Sequence, residues 1–148
     1  MHKVMFLCTG NSCRSQMAEG FARDLGRGII EAHSAGLCPA GYVYPKAIEV
    51  MKEAGVDISG QKSKAVDPDF LKTMDLVITL CSNAEATCPT TPPGIRRLHW
   101  PIVDPVWAKG TDEEIMTEFR RARDEIRDRI LAFLETPKEM KQKKGGMK

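Results

Sequence analysis

Apolar residues along the chain follow two alternating patterns: short unbroken runs, and longer stretches in which they recur every third or fourth position. Lys3–Cys8 (KVMFLC) is a short apolar run with β-branched and aromatic content and predicts a first strand. Thr9–Ser12 reads as a turn. From Arg14 to about Gly26, residues Met17, Ala18, Phe21, Ala22 and Leu25 trace one helical face, with Gly26 suited to the C-terminal end. Ile29–Ser34 predicts a second strand. Pro45 fits the first turn of a second helix, whose inward residues are Ala47, Ile48, Met51 and Ala54, and Gly55 closes it. Asp67-Pro68 opens a short helix to about Lys72. Asp75–Leu80 (DLVITL) is nearly all apolar, as a strand buried on both faces should be. Arg96–Trp100 predicts a fourth strand. Thr111 and Glu114 have the spacing of a capping box. They open a long helix in which Ile115, Phe119, Ala122, Ile126, Ile130 and Phe133 face inward, ending near Leu134.

Strands that alternate with helices predict an α/β fold: a three-layer sandwich with a four-stranded parallel sheet flanked by helices. In such sheets ligands bind beyond the carboxyl ends of the strands. Cys8 and Cys81 end the first and third strands. Residues 1–135 are expected to form a single catalytic domain, and 136–148 a solvated, disordered tail.

Charge alters the picture little. The 148 residues carry a net charge of +2, but the Lys-rich stretch 136–148 holds five Lys and one Glu, leaving about −2 on the body. A basic nucleic-acid face is therefore not indicated. No apolar run approaches the roughly 20 residues of a membrane span. Met1–Cys8 lacks the h-region and cleavage site of a signal peptide, so a cytoplasmic location is expected, with monomer as the default state. Five cysteines (8, 13, 38, 81 and 88) are an odd number without a Cys-x-x-Cys pair, which argues against a static disulfide framework or a zinc knuckle. They point instead to catalysis or redox exchange. His2, His33 and His99 have no metal-like spacing, and no metal is expected.

The chemistry concentrates in Cys8-Thr9-Gly10-Asn11-Ser12-Cys13-Arg14-Ser15. A cysteine at this spacing from an arginine is weak evidence alone, but here it lies between a strand and a helix. Gly10 and Asn11 tolerate the left-handed backbone that a tight anion loop needs. Successive N–H groups would converge on one spot, backed by the positive end of the helix, and a tetrahedral oxyanion is the natural guest. Arg14 adds a planar fork for two of its oxygens. The same field favours Cys8 as a thiolate nucleophile, with Ser15 able to donate its hydroxyl to it. Cys13, within the loop, is read as a bystander thiol or an oxidation liability. Cys38, before Pro39, is read as structural.

The string CTGNSCRSQMAEG at Cys8–Gly20 resembles the loop of the low-molecular-weight protein tyrosine phosphatase superfamily, and more closely that of its thioredoxin-coupled arsenate reductases. The resemblance continues through SAG at Ser34–Gly36, PKAIE at Pro45–Glu49, LVITLCS at Leu76–Ser82, Cys88-Pro89, and His99-Trp100 with Asp104-Pro105. It implies Asp104 as the general acid, a Cys8–Cys81 disulfide passed on as Cys81–Cys88, and thioredoxin as the external reductant. A phosphatase needs only water to complete its turnover, whereas reduction of arsenate requires two electrons, so Cys81 and Cys88 separate the two chemistries. The stretch between them is compatible with one or two helical turns, which would hold the two Cα atoms about 10 Å apart. A disulfide tolerates about 7 Å, so this stretch is expected to unwind on oxidation. Potassium-binding members imply ligands at Asn11, Glu19 and Ser34. Lys64 stands where an acidic ligand is expected, which argues against potassium, and its ammonium could pair with Glu19 instead. Trp100 and Trp107 flank Asp104 and could wall the site or serve as core. Two alternatives remain open: a phosphatase acting on aryl phosphates or phosphotyrosine, and a non-enzymatic arsenite or oxyanion binder.

Overall fold

Strand β1 (His2–Cys8) is central in a four-stranded sheet of order β2-β1-β3-β4, all parallel, in the computed structural model, which describes residues 1–80 and 95–135. The other strands are β2 (Ile30–Gly36), β3 (Leu76–Thr79) and β4 (Arg96–His99). The helices are α1 (Arg14–Leu25), α2 (Pro45–Glu53), α3 (Pro68–Leu71) and α4 (Asp112–Leu134), with a single 3-10 turn at Pro105–Trp107. The sandwich read from the alternation of elements is thus the one observed.

Alternation along the strands sorts the two faces. Val4, Ala32 and Leu76 stand in one register row, and Phe6, Ser34 and Ile78 in the next such row. The Phe6 row faces α1 and α4: Ser34 bonds Glu19 of α1, and Phe6 packs on Trp100, which in turn meets Phe133 of α4. The row of Met5 and His33 faces the other way, where His33 meets Phe70 of α3 edge-on. Val4, Leu7, Leu76, Val77 and Ile78 are fully buried, each such side chain contributing about 1.5–3 kcal/mol of transfer free energy. Helix α4 starts at the expected capping box: Thr111 Oγ1 accepts from Glu114 N, and Glu114 Oε1 accepts from Thr111 N. Asp67 caps α3 by accepting from Asp69 N and Phe70 N.

The structure corrects some local expectations. Leu25 and Ile29 are exposed, because α1 has left the core by its last turn. Met116 rather than Ile115 is buried in the first turn of α4. The opposite occurs at the start of α1, where every residue from Arg14 to Ala22 is buried. That turn is covered by the sheet, by α4 and by the segment 61–66.

This segment forms a strap over the end of β2. Gly36 N donates to Lys64 O, Val66 N donates to Gly36 O, and Gly36 bridges to Ala65 in parallel. Gly36 is where strap, strand and anion loop press together, and a Cβ there would lie 2.7 Å from Thr9 O and 2.8 Å from Asn11 N. Both neighbours are backbone, so neither can swing aside. Gly36→Ala is expected to destabilise the fold by about 1–3 kcal/mol through overpacking, read in urea unfolding, and to reduce stabilisation by added phosphate because the loop is displaced.

Candidate active site

The loop Cys8–Ser15 joins the carboxyl end of β1 to the N-terminus of α1. Its eight residues divide into two sets. Cys8, Thr9, Gly10, Ser12, Cys13 and Arg14 line a cavity of about 400 Å³ together with Asp104, Val106 and Trp107. Asn11 and Ser15 lie behind it, fully buried.

Asn11 is the only described non-glycine residue with positive φ, at 46°. Gly10, also expected to supply left-handed backbone, does not adopt it; it lines the cavity instead. The Asn11 carboxamide is bonded on both sides. Its Oδ1 accepts from Lys64 N at 2.7 Å and from Gln16 Nε2 at 3.0 Å. Its Nδ2 donates to Ser15 Oγ at 2.7 Å and to Ser34 Oγ at 3.0 Å. Ser15 Oγ is in turn 2.9 Å from Cys8 Sγ. Ser34 Oγ donates to Glu19 Oε1, and Arg23 Nη2 donates to Glu19 Oε2. A continuous chain therefore runs from the Cys8 sulfur through Ser15, Asn11 and Ser34 to a buried carboxylate.

The strap holds this chain from outside. Gln16 Nε2 donates to Asn11 O and Lys62 O, Gln61 Nε2 donates to Gln16 Oε1 at 2.7 Å, and Ser63 Oγ donates to Gly10 O. Gln16, Gln61 and Ser63 are absent from the sequence-based site. A glutamine in a helical first turn and a polar loop segment carry no signal of their own, and only the tertiary contact makes them part of it.

Arg14 Nη1 donates to Ile102 O at 2.9 Å and Nη2 to Asp104 Oδ2 at 3.2 Å. Asp104 caps the 3-10 turn by accepting from Val106 N through Oδ1, and Pro105 stiffens that turn. The two tryptophans separate. Trp100 is buried in the core, whereas Trp107 is 77% exposed at the cavity mouth. Cys38 is exposed, and its backbone N–H donates to Thr9 O. Cys81 and Cys88 lie outside the described residues.

Cys13 packs into the core within the same loop. Burial pushes its thiol pKa far up, and the nearby Asp104 carboxylate and Cys8 add to the shift against a smaller opposing effect of Arg14. It is a neutral thiol at ordinary pH.

The oxygen donors of Asn11, Glu19 and Ser34 do not fit potassium here. Lys64 Nζ stands 3.8 Å from Glu19 Oε1 and donates to Lys62 O at 2.6 Å, so the cluster already presents an ammonium.

The family model of low molecular weight phosphotyrosine protein phosphatase matches residues 3–145. An arsenate reductase of Bacillus licheniformis is 52% identical over 133 residues, 90% of this chain and 95% of that protein. A solved arsenate reductase in the phosphate binding state superposes with a TM-score of 0.74 at 38% identity, covering 92% of this chain and 98% of that one. A thioredoxin-dependent arsenate reductase of Corynebacterium glutamicum superposes with a TM-score of 0.65 at 29% identity, covering 89% of this chain and 63% of that one.

The raised pKa of Cys13 has a signed consequence for stability. Above its ordinary value of 9.0 the unfolded chain loses this proton while the folded chain keeps it. Stability is therefore unaffected by Cys13 below that pH and falls as pH rises above it, by up to about 1.4 kcal/mol per pH unit. Cys13→Ala should show a shallower alkaline loss of stability than wild type, measured by urea unfolding between pH 8 and 10.5.

Proposed function

Because the chain belongs to the low molecular weight phosphotyrosine protein phosphatase family, we infer that it is an arsenate reductase whose loop 8–15 binds arsenate and whose nucleophile is Cys8. The observation that carries this reading is the meeting of Cys8, Arg14 and Asp104 around one loop-lined cavity, in a chain about half identical to arsenate reductases. The loop N–H groups, the N-terminus of α1 and the Arg14 fork hold the equatorial oxygens of the tetrahedral anion. Arsenate competes with Asp104 and Ile102 O for that fork. Ser15 donates its hydroxyl to the Cys8 thiolate, which attacks arsenic in line. An S–As bond forms, and the departing oxygen leaves as water with a proton from Asp104.

Reduction follows at sulfur. The Cys81 thiolate attacks Cys8 Sγ, an S–S bond forms, and the S–As electron pair stays on arsenic, which leaves as arsenite. Cys88 then attacks Cys81 and frees Cys8, leaving a Cys81–Cys88 disulfide that thioredoxin reduces. Two facts support this order. Leu80 N, one residue before Cys81, donates to Leu7 O, one residue before Cys8, at 2.9 Å. The relative from Corynebacterium glutamicum is thioredoxin-dependent. In this reading residues 1–135 form the catalytic domain, 136–148 a tail, and the enzyme works in the cytoplasm as a monomer without a bound cofactor. Its partners are arsenate and thioredoxin, with no nucleic acid or membrane.

Trp107 at the cavity mouth favours a second, residual activity, since a flat indole face there suits an aryl phosphate. The two chemistries separate by mutation. Cys81→Ser and Cys88→Ser should each abolish multiple-turnover arsenate reduction in a thioredoxin-coupled NADPH assay while sparing p-nitrophenyl phosphate hydrolysis. Asp104→Asn should slow both by about 10²–10⁴-fold. Arsenate-dependent NADPH oxidation that survives intact in Cys88→Ser removes the relay. Unchanged NMR shifts across 81–90 between reduced and oxidised protein remove the expected unwinding.

A further inference from the structure

The stretch that carries Asp104 is held by few contacts, and they do not all survive anion binding. Upstream, Ile102 N donates to Leu80 O at 3.0 Å, and downstream Pro105 is buried. Between these points, Ile102 O and Asp104 Oδ2 both accept from Arg14. In the proposed reaction the same fork takes the oxygens of the anion, so both bonds are given up when substrate enters. Asp104 Oδ1 accepts from Val106 N, but that bond is internal to the turn and travels with it. The Val103 side chain is 71% exposed and contributes little packing. Asp104 therefore loses its support across the cavity at the stage when it must face the departing oxygen.

One further bond reaches this stretch from outside the cavity. Arg121 Nη2, on α4, donates to Val103 O at 3.3 Å. The guanidinium is braced along its own helix: Nε donates to Glu118 Oε1 and Nη1 to Glu125 Oε1, each at 2.8 Å. Those partners lie three residues before and four residues after it, on the same helix face, which leaves Nη2 for the loop. Val103 O belongs to the same planar peptide unit as Asp104 N. Holding that oxygen holds the plane from which the Asp104 side chain departs. Arg121 does not line the anion cavity, so the anion does not compete for it.

We propose that Arg121 is a positioning residue for the general acid, keeping Asp104 aimed at the departing oxygen once the anion has drawn Arg14 away. The proposal rests on the reading of Asp104 as acid and of loop 8–15 as the anion site. Its effect belongs to the loaded site, so it acts on the step that needs the acid and not on anion affinity. The Arg121 side chain is 34% exposed, and one hydrogen bond of this kind is worth a few-fold in rate. Its ion pairs with Glu118 and Glu125 lie at the surface of one helix, so the fold does not depend on them.

Leaving groups isolate the acid, because phenol departs poorly without a proton and p-nitrophenol needs one less. In Arg121→Met, kcat/KM should fall about fivefold for phenyl phosphate and less than about twofold for p-nitrophenyl phosphate. Inhibition by inorganic phosphate should be unchanged, and Arg121→Lys, which keeps a donor, should recover most of the loss. Equal losses on the two substrates, or weakened phosphate binding that accounts for them, overturn the proposal. Asp104→Asn is the reference and should show the same bias more strongly. Bias there but none in Arg121→Met overturns the proposal and leaves the acid reading standing, whereas no bias in Asp104→Asn refutes the acid reading and this proposal with it. A readout without turnover is solvent exchange of the Val106 amide, followed by NMR in phosphate-saturated protein. It should be about fivefold faster in Arg121→Met than in wild type, and equal rates overturn the proposal. Failure of phosphate to bind at all refutes the anion site itself.

Discussion

The site depends on one buried carboxamide. Asn11 sits at φ 46°, a backbone region that costs an ordinary side chain about 1 kcal/mol or more and that asparagine tolerates best after glycine. Four side-chain hydrogen bonds compensate that cost: two hold the adjoining first turn of α1 at Ser15 and Gln16, and two tie in distant parts of the chain, the end of β2 at Ser34 and the strap at Lys64. Backbone N–H groups can converge on an anion only if the loop cannot relax away from it. Burying the hub beneath the loop supplies that rigidity and leaves the exposed side free to bind.

The same construction explains why two cysteines five positions apart differ. Cys8 ends a central strand, lines the cavity and has a hydroxyl 2.9 Å from its sulfur. Cys13 precedes α1, lines the same cavity and is equally buried, but no hydrogen bond to its sulfur is seen among the described residues, and the nearby Asp104 carboxylate and Cys8 push its pKa up. Both belong to a single eight-residue loop. With burial alike, the hydroxyl beside Cys8 is what sets the proposed nucleophile apart from the neutral thiol of Cys13.

Oxyanion binding and the choice of reaction reside in different places. The loop, Arg14 and Asp104 suit attack on phosphorus or arsenic alike, because both elements present tetrahedral anions of similar shape. In the proposed reaction the electrons for reduction come from additional thiols, and the parallel pairing of β1 with β3 brings the residue before Cys81 against the residue before Cys8. On that proposal a family scaffold changes chemistry through the strand beside its loop while the loop itself stays the same.

By itself the sequence determined most of the elements and the loop. Apolar runs and helical spacings are local quantities, and Cys8, Asp67, Thr111 and Glu114 meet partners a few residues away. The same local reading went astray where burial was set from a distance, at Leu25 and Ile115, and in the backbone of Gly10, which is not left-handed. Tertiary structure alone decided that Trp100 is core while Trp107 opens on the cavity, and that Gln16, Gln61 and Ser63 support the loop. The pairing of Lys64 with Glu19 across 45 positions was implied by the resemblance, but that the Lys64 backbone also holds Asn11 was decided by the fold. Which polar groups share a buried volume is a property of the packed chain, and hydrogen-bond direction within that volume follows from all its members together.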